Sequence, residues 1–269
     1  MTDPSQISRE RDEAMAKLRV LDLFSGIGGF SLGLERTGGF STVAFCEIDP
    51  FCRRVLAKHW PNVRQFEDVT KLRGEDVGPV DVICGGFPCQ DISLAGKGAG
   101  LAGERSGLWR EYARLVGELE PKLVLVENVT ALLGRGLGDV LGDLAALGYD
   151  AEWHCIPASA VGFPHIRDRV WIIGFLADPE CVGKHISEGK SAGSQTGYGA
   201  WSAASGGRVS RQLANALRSH SPLATEPDVG RVAHGVPSRV DRLKALGNAV
   251  VPQIPEMIGR AILEARRAA

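Results

Sequence analysis

What most constrains this chain is a repeated alternation of short aliphatic runs with helix-length segments. RVLDLFSG is followed by a helix near 29–37, STVAFCEID by a helix near 50–59, and VRQFEDV leads on to VDVICGG, a helix near 107–119 and KLVLVENV. Parallel strands cannot be joined by tight hairpins and need crossover connections, so five such runs predict an α/β fold built on a doubly wound, mostly parallel sheet. A further pair, AEWHCIP and DRVWIIGFLA, extends the sheet at about 151–177. With 269 residues and 44% hydrophobic content, the chain can bury one large core with a small lobe attached.

After Ala177 the text changes. SEGKSAGSQTGYGAWSAASGG (187–207) holds eleven Gly or Ser in 21 residues, which predicts a long loop or thin lobe. Net charge is −1, yet residues 184–220 carry Lys184, Lys190, Arg208, Arg211 and Arg218 against Glu188, so a local basic face is available to an anionic partner. Order returns with RLKALGNAVVPQIPEMIGRAILEARRAA, helical from Ile254. No apolar run of about 18 residues occurs and the first residues are charged, so a cytoplasmic protein without a membrane role is expected. The six cysteines (46, 52, 84, 89, 155, 181) form no CxxC pair and have no His partners at zinc spacing, so neither a metal nor a disulfide framework is expected.

Several strand ends carry chemistry. LDLFSGIGGF is a strand entering a glycine turn and then a helix, a geometry that admits a ligand close to the backbone. A glycine turn alone is equally a tight βα connection. Glu47, about 20 residues on at the end of the next strand, is placed to hold ribose hydroxyls and favours a nucleoside-bearing cofactor. Asp68, after VRQFE, reads alone as a turn or N-cap residue, and only in company as a partner for an exocyclic amine.

In DVICGGFPCQDIS, a buried strand turns sharply and presents Cys89 at its tip. Pro88 gives a rigid mount on one side, and GKGAGLAGE (96–104) is glycine-rich enough to move on the other. Glu127-Asn128 ends an entirely apolar strand, and a carboxylate there is costly unless protonated, paired or functional. Arg167 and Arg169 alternate at the start of a later strand and so share a face.

DLFSGIGGF, GGFPCQDIS, ENV, RDR and LGNAVVP occur here in the order found in the DNA (cytosine-5) methyltransferases, and the chain resembles that family over roughly 18–176 and 243–265. The resemblance implies the fold of class I S-adenosylmethionine-dependent methyltransferases with a short, irregular target recognition lobe. S-adenosylmethionine would lie against Phe24, Gly26 and Gly28, with its ribose on Glu47, its adenine near Asp68 and Val69, and Pro88 and Asn248 beside it; S-adenosylhomocysteine is the product. Cys89 is the implied nucleophile on cytosine carbon 6, Glu127 acts at ring nitrogen 3, Arg169 and Arg167 hold the base and the acid, and Asn128 braces the site. Gln90 and Ser93 belong to a loop, 90–106, expected to close on a flipped-out base.

The implied partner is double-stranded DNA, acted on by a monomer, with a cognate restriction endonuclease working without a stable complex. The implied division is a polar tail (1–17), a catalytic and cofactor-binding domain (18–176), a target recognition region (177–242) and a C-terminal segment (243–269) that packs back on the catalytic domain. Pro164-His165 stands where Pro-Gln is usual, and 177–242 lacks the Thr followed by Leu, Ile or Val that is usual in a recognition domain. A catalytically impaired DNA-binding relative and an RNA cytosine methyltransferase of the same fold are the alternatives.

Overall fold

The computed structural model describes residues 16–88, 107–163, 167–177, 206–219 and 239–267. Seven strands form one mixed sheet in the order β3-β2-β1-β4-β5-β7-β6. They are β1 (Leu18–Leu23), β2 (Phe40–Cys46), β3 (Arg64–Phe66), β4 (Val82–Gly85), β5 (Leu123–Val129), β6 (Tyr149–Pro157) and β7 (Asp168–Leu176). The first five run parallel, as the crossover pattern requires, whereas β7 enters between β5 and β6 and is antiparallel to both. The chain walks outward from β1 to β3 and returns to β4, so the strand order reverses between β1 and β4. Ligands of doubly wound folds sit at such a switch point, outside the carboxyl ends of the strands. Because β7 is antiparallel, its first residues lie at that same edge.

Helices cover both faces. On one pack α4 (Gly107–Leu119), α5 (Leu132–Arg135) and α6 (Leu137–Ala146), with Trp109, Tyr112, Leu115, Val140 and Leu144 buried against Ile83, Val124 and Ile172. On the other pack α1 (Gly29–Arg36), α7 (Gly206–Ser219) and α9 (Gln253–Arg267), where Phe30, Leu34, Val209, Leu213 and Ile258 meet Val20, Val82 and Trp171. The remaining helices are α2 (Pro50–His59), the single turn α3 (Gly74–Val77) and α8 (Arg239–Asn248). Among the described residues, no helix is long and apolar enough to cross a membrane.

Helix α7 falls inside the span expected for the recognition lobe, yet Val209 and Leu213, one turn apart on it, are buried in the second core. A polar tie accompanies them: the Ser210 hydroxyl donates to the carboxylate of Glu152, a buried residue on β6. The Gly/Ser-rich stretch ahead of it, 187–205, lies outside the described residues.

The C-terminal segment returns across α1, and glycines make room for it. An added Cβ at Gly33 would stand 2.1 Å from the Pro252 carbonyl oxygen and 2.9 Å from the Glu256 nitrogen, and at Gly29 2.5 Å from the Val250 carbonyl oxygen. Helix propensity alone would favour Gly33→Ala by about 1 kcal/mol. Here the obstruction is backbone and cannot rotate away, so overpacking wins. Gly33→Ala is expected to cost about 1–3 kcal/mol, read as a Tm lower by about 3–10 °C; a variant as stable as the parent would refute this packing.

Candidate active site

The β1 turn is held from within. Asp22, fully buried at the end of β1, accepts from the Ser31 hydroxyl at 2.7 Å and the Ser31 amide at 3.3 Å, fixing the start of α1 to the strand. Burial pushes its carboxyl up to about 7 against the lowering effect of those Ser31 bonds. Phe24 then adopts φ 52, a left-handed conformation uncommon for a bulky side chain, which stores local strain at the turn.

The glycines of the turn serve different ends. Gly26, at φ 54, has nothing within 4 Å of the position a Cβ would take, so its face is open to a ligand. Gly28 is closed: an added Cβ would stand 2.7 Å from the Trp60 ring, and the Gly28 amide donates to the Ser25 carbonyl. Gly28 therefore shapes the turn, at φ 85, and lets Trp60 pack beneath it. Trp60 is in turn fixed by its indole N–H donating to Glu35 at 2.8 Å.

Glu47, past the end of β2, binds two turns together. One carboxylate oxygen accepts the Gly26 amide at 2.7 Å and the other the Asp49 amide at 2.8 Å. Each oxygen keeps acceptor capacity for a further donor, which suits hydroxyls arriving from the open side of Gly26. Asp49 caps α2 by accepting from the Phe51 and Cys52 amides. Asp68 accepts from the Thr70 amide at 3.0 Å and hydroxyl at 2.7 Å, which hold its carboxyl below the usual range. Its role as a turn residue is thus realised, while its second oxygen faces Lys71 at 3.5 Å. Val69 beside it is buried.

On the other side of the switch point, β4 ends in Gly85 and is followed by Gly86, and Phe87 is buried with its ring 5.3 Å from that of Trp109. The Asn128 amide donates to the Phe87 carbonyl at 3.2 Å, clamping the chain directly ahead of Pro88. Asn128, 3% exposed, thereby fixes the mount from which residue 89 departs. Cys89, Gln90 and Ser93 themselves lie outside the described residues, as do Pro164 and His165.

Glu127 pairs with Arg169, whose Nε stands 3.0 Å from its Oε1. The two belong to the β5–β7 antiparallel ladder, in which Glu127 lies opposite Trp171 and Val129 opposite Arg169, so the pair is set diagonally across neighbouring strands. Gly86 makes the fit tight, since a Cβ there would stand 2.8 Å from Glu127 Oε2. Burial raises the Glu127 carboxyl, and Arg169, then Arg167, oppose that rise. The Arg167 guanidinium donates to the Gly247 carbonyl at 2.6 Å, and burial, with Arg169 beside it, lowers its pKa.

The structure thus gathers Glu127, Asn128, Arg167, Arg169 and Pro88 at one end of the switch point and Phe24, Gly26, Glu47 and Asp68 at the other. Asn248 ends α8, next to the Gly247 that Arg167 holds. Sequence reading missed Gly86, Trp60 and the Asp22–Ser31 bond. It also missed Asp49, although an Asp before Pro50 at a helix start is a legible cap signal. Among the described residues, no group of three or more His, Cys, Asp or Glu is arranged to hold a metal ion.

Comparison with known proteins agrees with this geometry. The family of C-5 cytosine-specific DNA methylases matches residues 18–219. The type II methyltransferase M2.BsuMI of Bacillus subtilis is 37% identical over 174 residues, 61% of this chain and 44% of its own length. M1.ScrFI of Lactococcus lactis subsp. cremoris is 35% identical over 174 residues, 63% of this chain and 44% of its own. The chain spans about half the length of the curated relatives it matches.

Among solved structures, a protein assigned as a DNA modification methyltransferase encoded within an Escherichia coli prophage superposes with a TM-score of 0.52 at 30% identity, covering 65% of this chain and 49% of that one. DNMT2 of Spodoptera frugiperda, at 21% identity, covers 59% of this chain and 50% of its own with a TM-score of 0.51, and shares the fold. The chain belongs to the C-5 cytosine-specific DNA methylase family.

Proposed function

We propose that the protein transfers a methyl group from S-adenosylmethionine to carbon 5 of a cytosine turned out of duplex DNA, with Cys89 as nucleophile. The observation that carries this reading is the half-buried Glu127–Arg169 pair beside Asn128, which clamps the carbonyl of Phe87 two residues ahead of Cys89. A carboxyl kept buried and raised in pKa is suited to donate to a ring nitrogen, and a guanidinium beside it is suited to hold a carbonyl oxygen of the same flat ring.

The cofactor reading rests on the open face of Gly26 and the spare acceptor capacity of Glu47. Glu47 would take the ribose hydroxyls, Asp68 and Val69 the adenine, and Phe24, Gly26, Pro88 and Asn248 the rest of the ligand, with Gly28 shaping the turn rather than facing it. The bound cofactor supplies an electrophilic methyl group. The protein's own residues do the remainder. Asn128 holds the mount of Cys89, whose thiolate adds to carbon 6. Glu127 gives a proton to ring nitrogen 3 as electrons move toward carbon 5, Arg169 steadies both acid and base, and Arg167 ties them to the C-terminal segment. Loss of the carbon 5 proton, departure of the Cys89 sulfur and return of the ring nitrogen 3 proton to Glu127 restore the ring and the acid. A stacked base offers no access to this chemistry, so the target must leave the duplex. Residues 90–106 are the proposed cover over it, and the recognition region is assigned to 177–242, less the α7 residues that pack on the sheet.

The test is incubation of purified protein and labelled S-adenosylmethionine with plasmid DNA and, in parallel, with transfer RNA. Label in DNA is expected, at cytosines in one sequence context by bisulfite sequencing. Label confined to transfer RNA would replace the substrate, and label in neither would overturn the enzyme reading.

A further inference from the structure

One turn of α8, Lys244 to Gly247, is tied to both sides of the cleft. Lys244 reaches Asp49 at 3.1 Å, two residues past Glu47 at the tip of β2. Three residues further along α8, the Gly247 carbonyl accepts from Arg167 at the start of β7. In the sheet, β2 and β7 are separated by β1, β4 and β5. Four inter-strand steps amount to about 19 Å. Three residues of helix contribute only about 4.5 Å of that span, so extended Lys and Arg side chains bridge the remainder. The Lys244–Gly247 turn of α8 therefore stands between the tip of β2 and the start of β7, on the edge of the sheet that holds the switch point. Its exit is fixed, since Val250 and Pro252 are seated on Gly29 and Gly33. Lys244 is held by an exposed ion pair, with side chains 65% and 28% exposed.

We propose that Lys244 is a positioning residue for the cofactor: by pairing with Asp49 it holds α8 across the mouth of the cleft, above the ligand seated at the tips of β1 and β2. This rests on the cofactor assignment made above. Asp49 is well suited to the task because its two oxygens divide the work, Oδ1 capping α2 and Oδ2 meeting Lys244. Against the raising effect of burial, Lys244 and then the capping amides lower its pKa, so it stays ionised at neutral pH, as the pair requires. An exposed pair is weak and salt-sensitive, so its contribution should respond to ionic strength.

The experiment measures S-adenosylhomocysteine affinity by calorimetry for wild type, K244M, K244R, D49N and the K244M/D49N double variant. The amide introduced by D49N keeps an acceptor for the α2 cap while losing the charge. K244M and D49N are each expected to bind about 2–5-fold more weakly, the double variant no more weakly than the weaker single, and K244R as wild type. Raising salt should weaken wild type toward K244M and leave K244M unmoved. Amide exchange in α8 without ligand should be faster in K244M. Equal affinity of K244M and wild type, or equal salt dependence of the two, overturns the role of Lys244 alone. Absence of any titration by the wild type refutes the cofactor assignment itself, and the Lys244 role with it.

Discussion

Cys89→Ser is expected to reduce methyl transfer at least about 10³-fold while leaving S-adenosylhomocysteine affinity within about twofold of wild type. Carbon 5 of cytosine is too weak a nucleophile to take a methyl group unaided, and addition of a thiolate at carbon 6 is what places electron density on it. A serine hydroxyl at neutral pH has no comparable anionic fraction, so the same position would hold the right shape and the wrong acidity. The cysteines among the described residues cannot substitute. Burial pushes the thiols of Cys46 to about 12 and Cys52 to about 11, and raises Cys84 and Cys155 as well. Those sulfurs stay protonated and serve as packing or surface groups. The decisive measurement pairs the activity assay with trapping. Duplex carrying 5-fluorocytosine at the target offers no proton at carbon 5 to lose, so the sulfur cannot leave after methyl transfer. Wild type should then migrate covalently bound to DNA on a denaturing gel and Cys89→Ser should not. Substantial turnover by the serine variant, or failure of wild type to trap, would remove Cys89 from the mechanism.

Much of the sheet was legible because its signals are local. An aliphatic run ending in Gly-Gly-Phe-Pro or Glu-Asn needs no distant partner to read as a strand with a functional tip, and β4 and β5 carry those tips. The helices near 29, 50 and 107 lie where the alternation puts them. What escaped is tertiary in origin. Gly28, Gly29 and Gly33 look in sequence like one ligand-approach turn. Only the fold shows that Trp60, Val250 and Pro252, the last two more than 200 residues away along the chain, occupy their Cα faces, leaving Gly26 alone open. Helices α5 and α6 were unread although Leu137, Val140 and Leu144 repeat at helical spacing, because the strand motifs on either side dominate that text. For α7 the Gly/Ser-rich run before it masked a real stripe, Val209 and Leu213, whose burial depends on the edge strand β6 being there to receive it. The Lys244–Asp49 pair joins residues 195 apart, and no periodicity reports such a contact.

Glu127→Gln is expected to lower the rate of methyl transfer about 10²–10³-fold, with a change in its pH dependence that distinguishes loss of a proton donor from loss of packing. Glutamine has nearly the same shape, can still accept from Arg169 through its amide oxygen, and fits against Gly86, so the fold should survive. It cannot give up a proton. Under the proposed mechanism two groups should titrate in opposite senses. The rate is expected to rise with pH as the Cys89 thiolate forms, and to fall at higher pH as Glu127 loses the proton assigned to ring nitrogen 3. Burial raises the Glu127 carboxyl while Arg169 and Arg167 hold it down, so it ionises at higher pH than an exposed glutamate. The expected wild-type profile of kcat/KM is therefore bell-shaped, and Glu127→Gln should keep the ascending limb and lose the descending one. Arg169→Met tests the same pair from the other side. Without the cation, nothing but Arg167 opposes the burial, so the carboxyl rises further and the descending limb moves to higher pH even as the rate falls. A descending limb that persists unchanged in Glu127→Gln, or a rate within about fivefold of wild type, would show that the proton comes from elsewhere and that the pair is only a structural tie between β5 and β7.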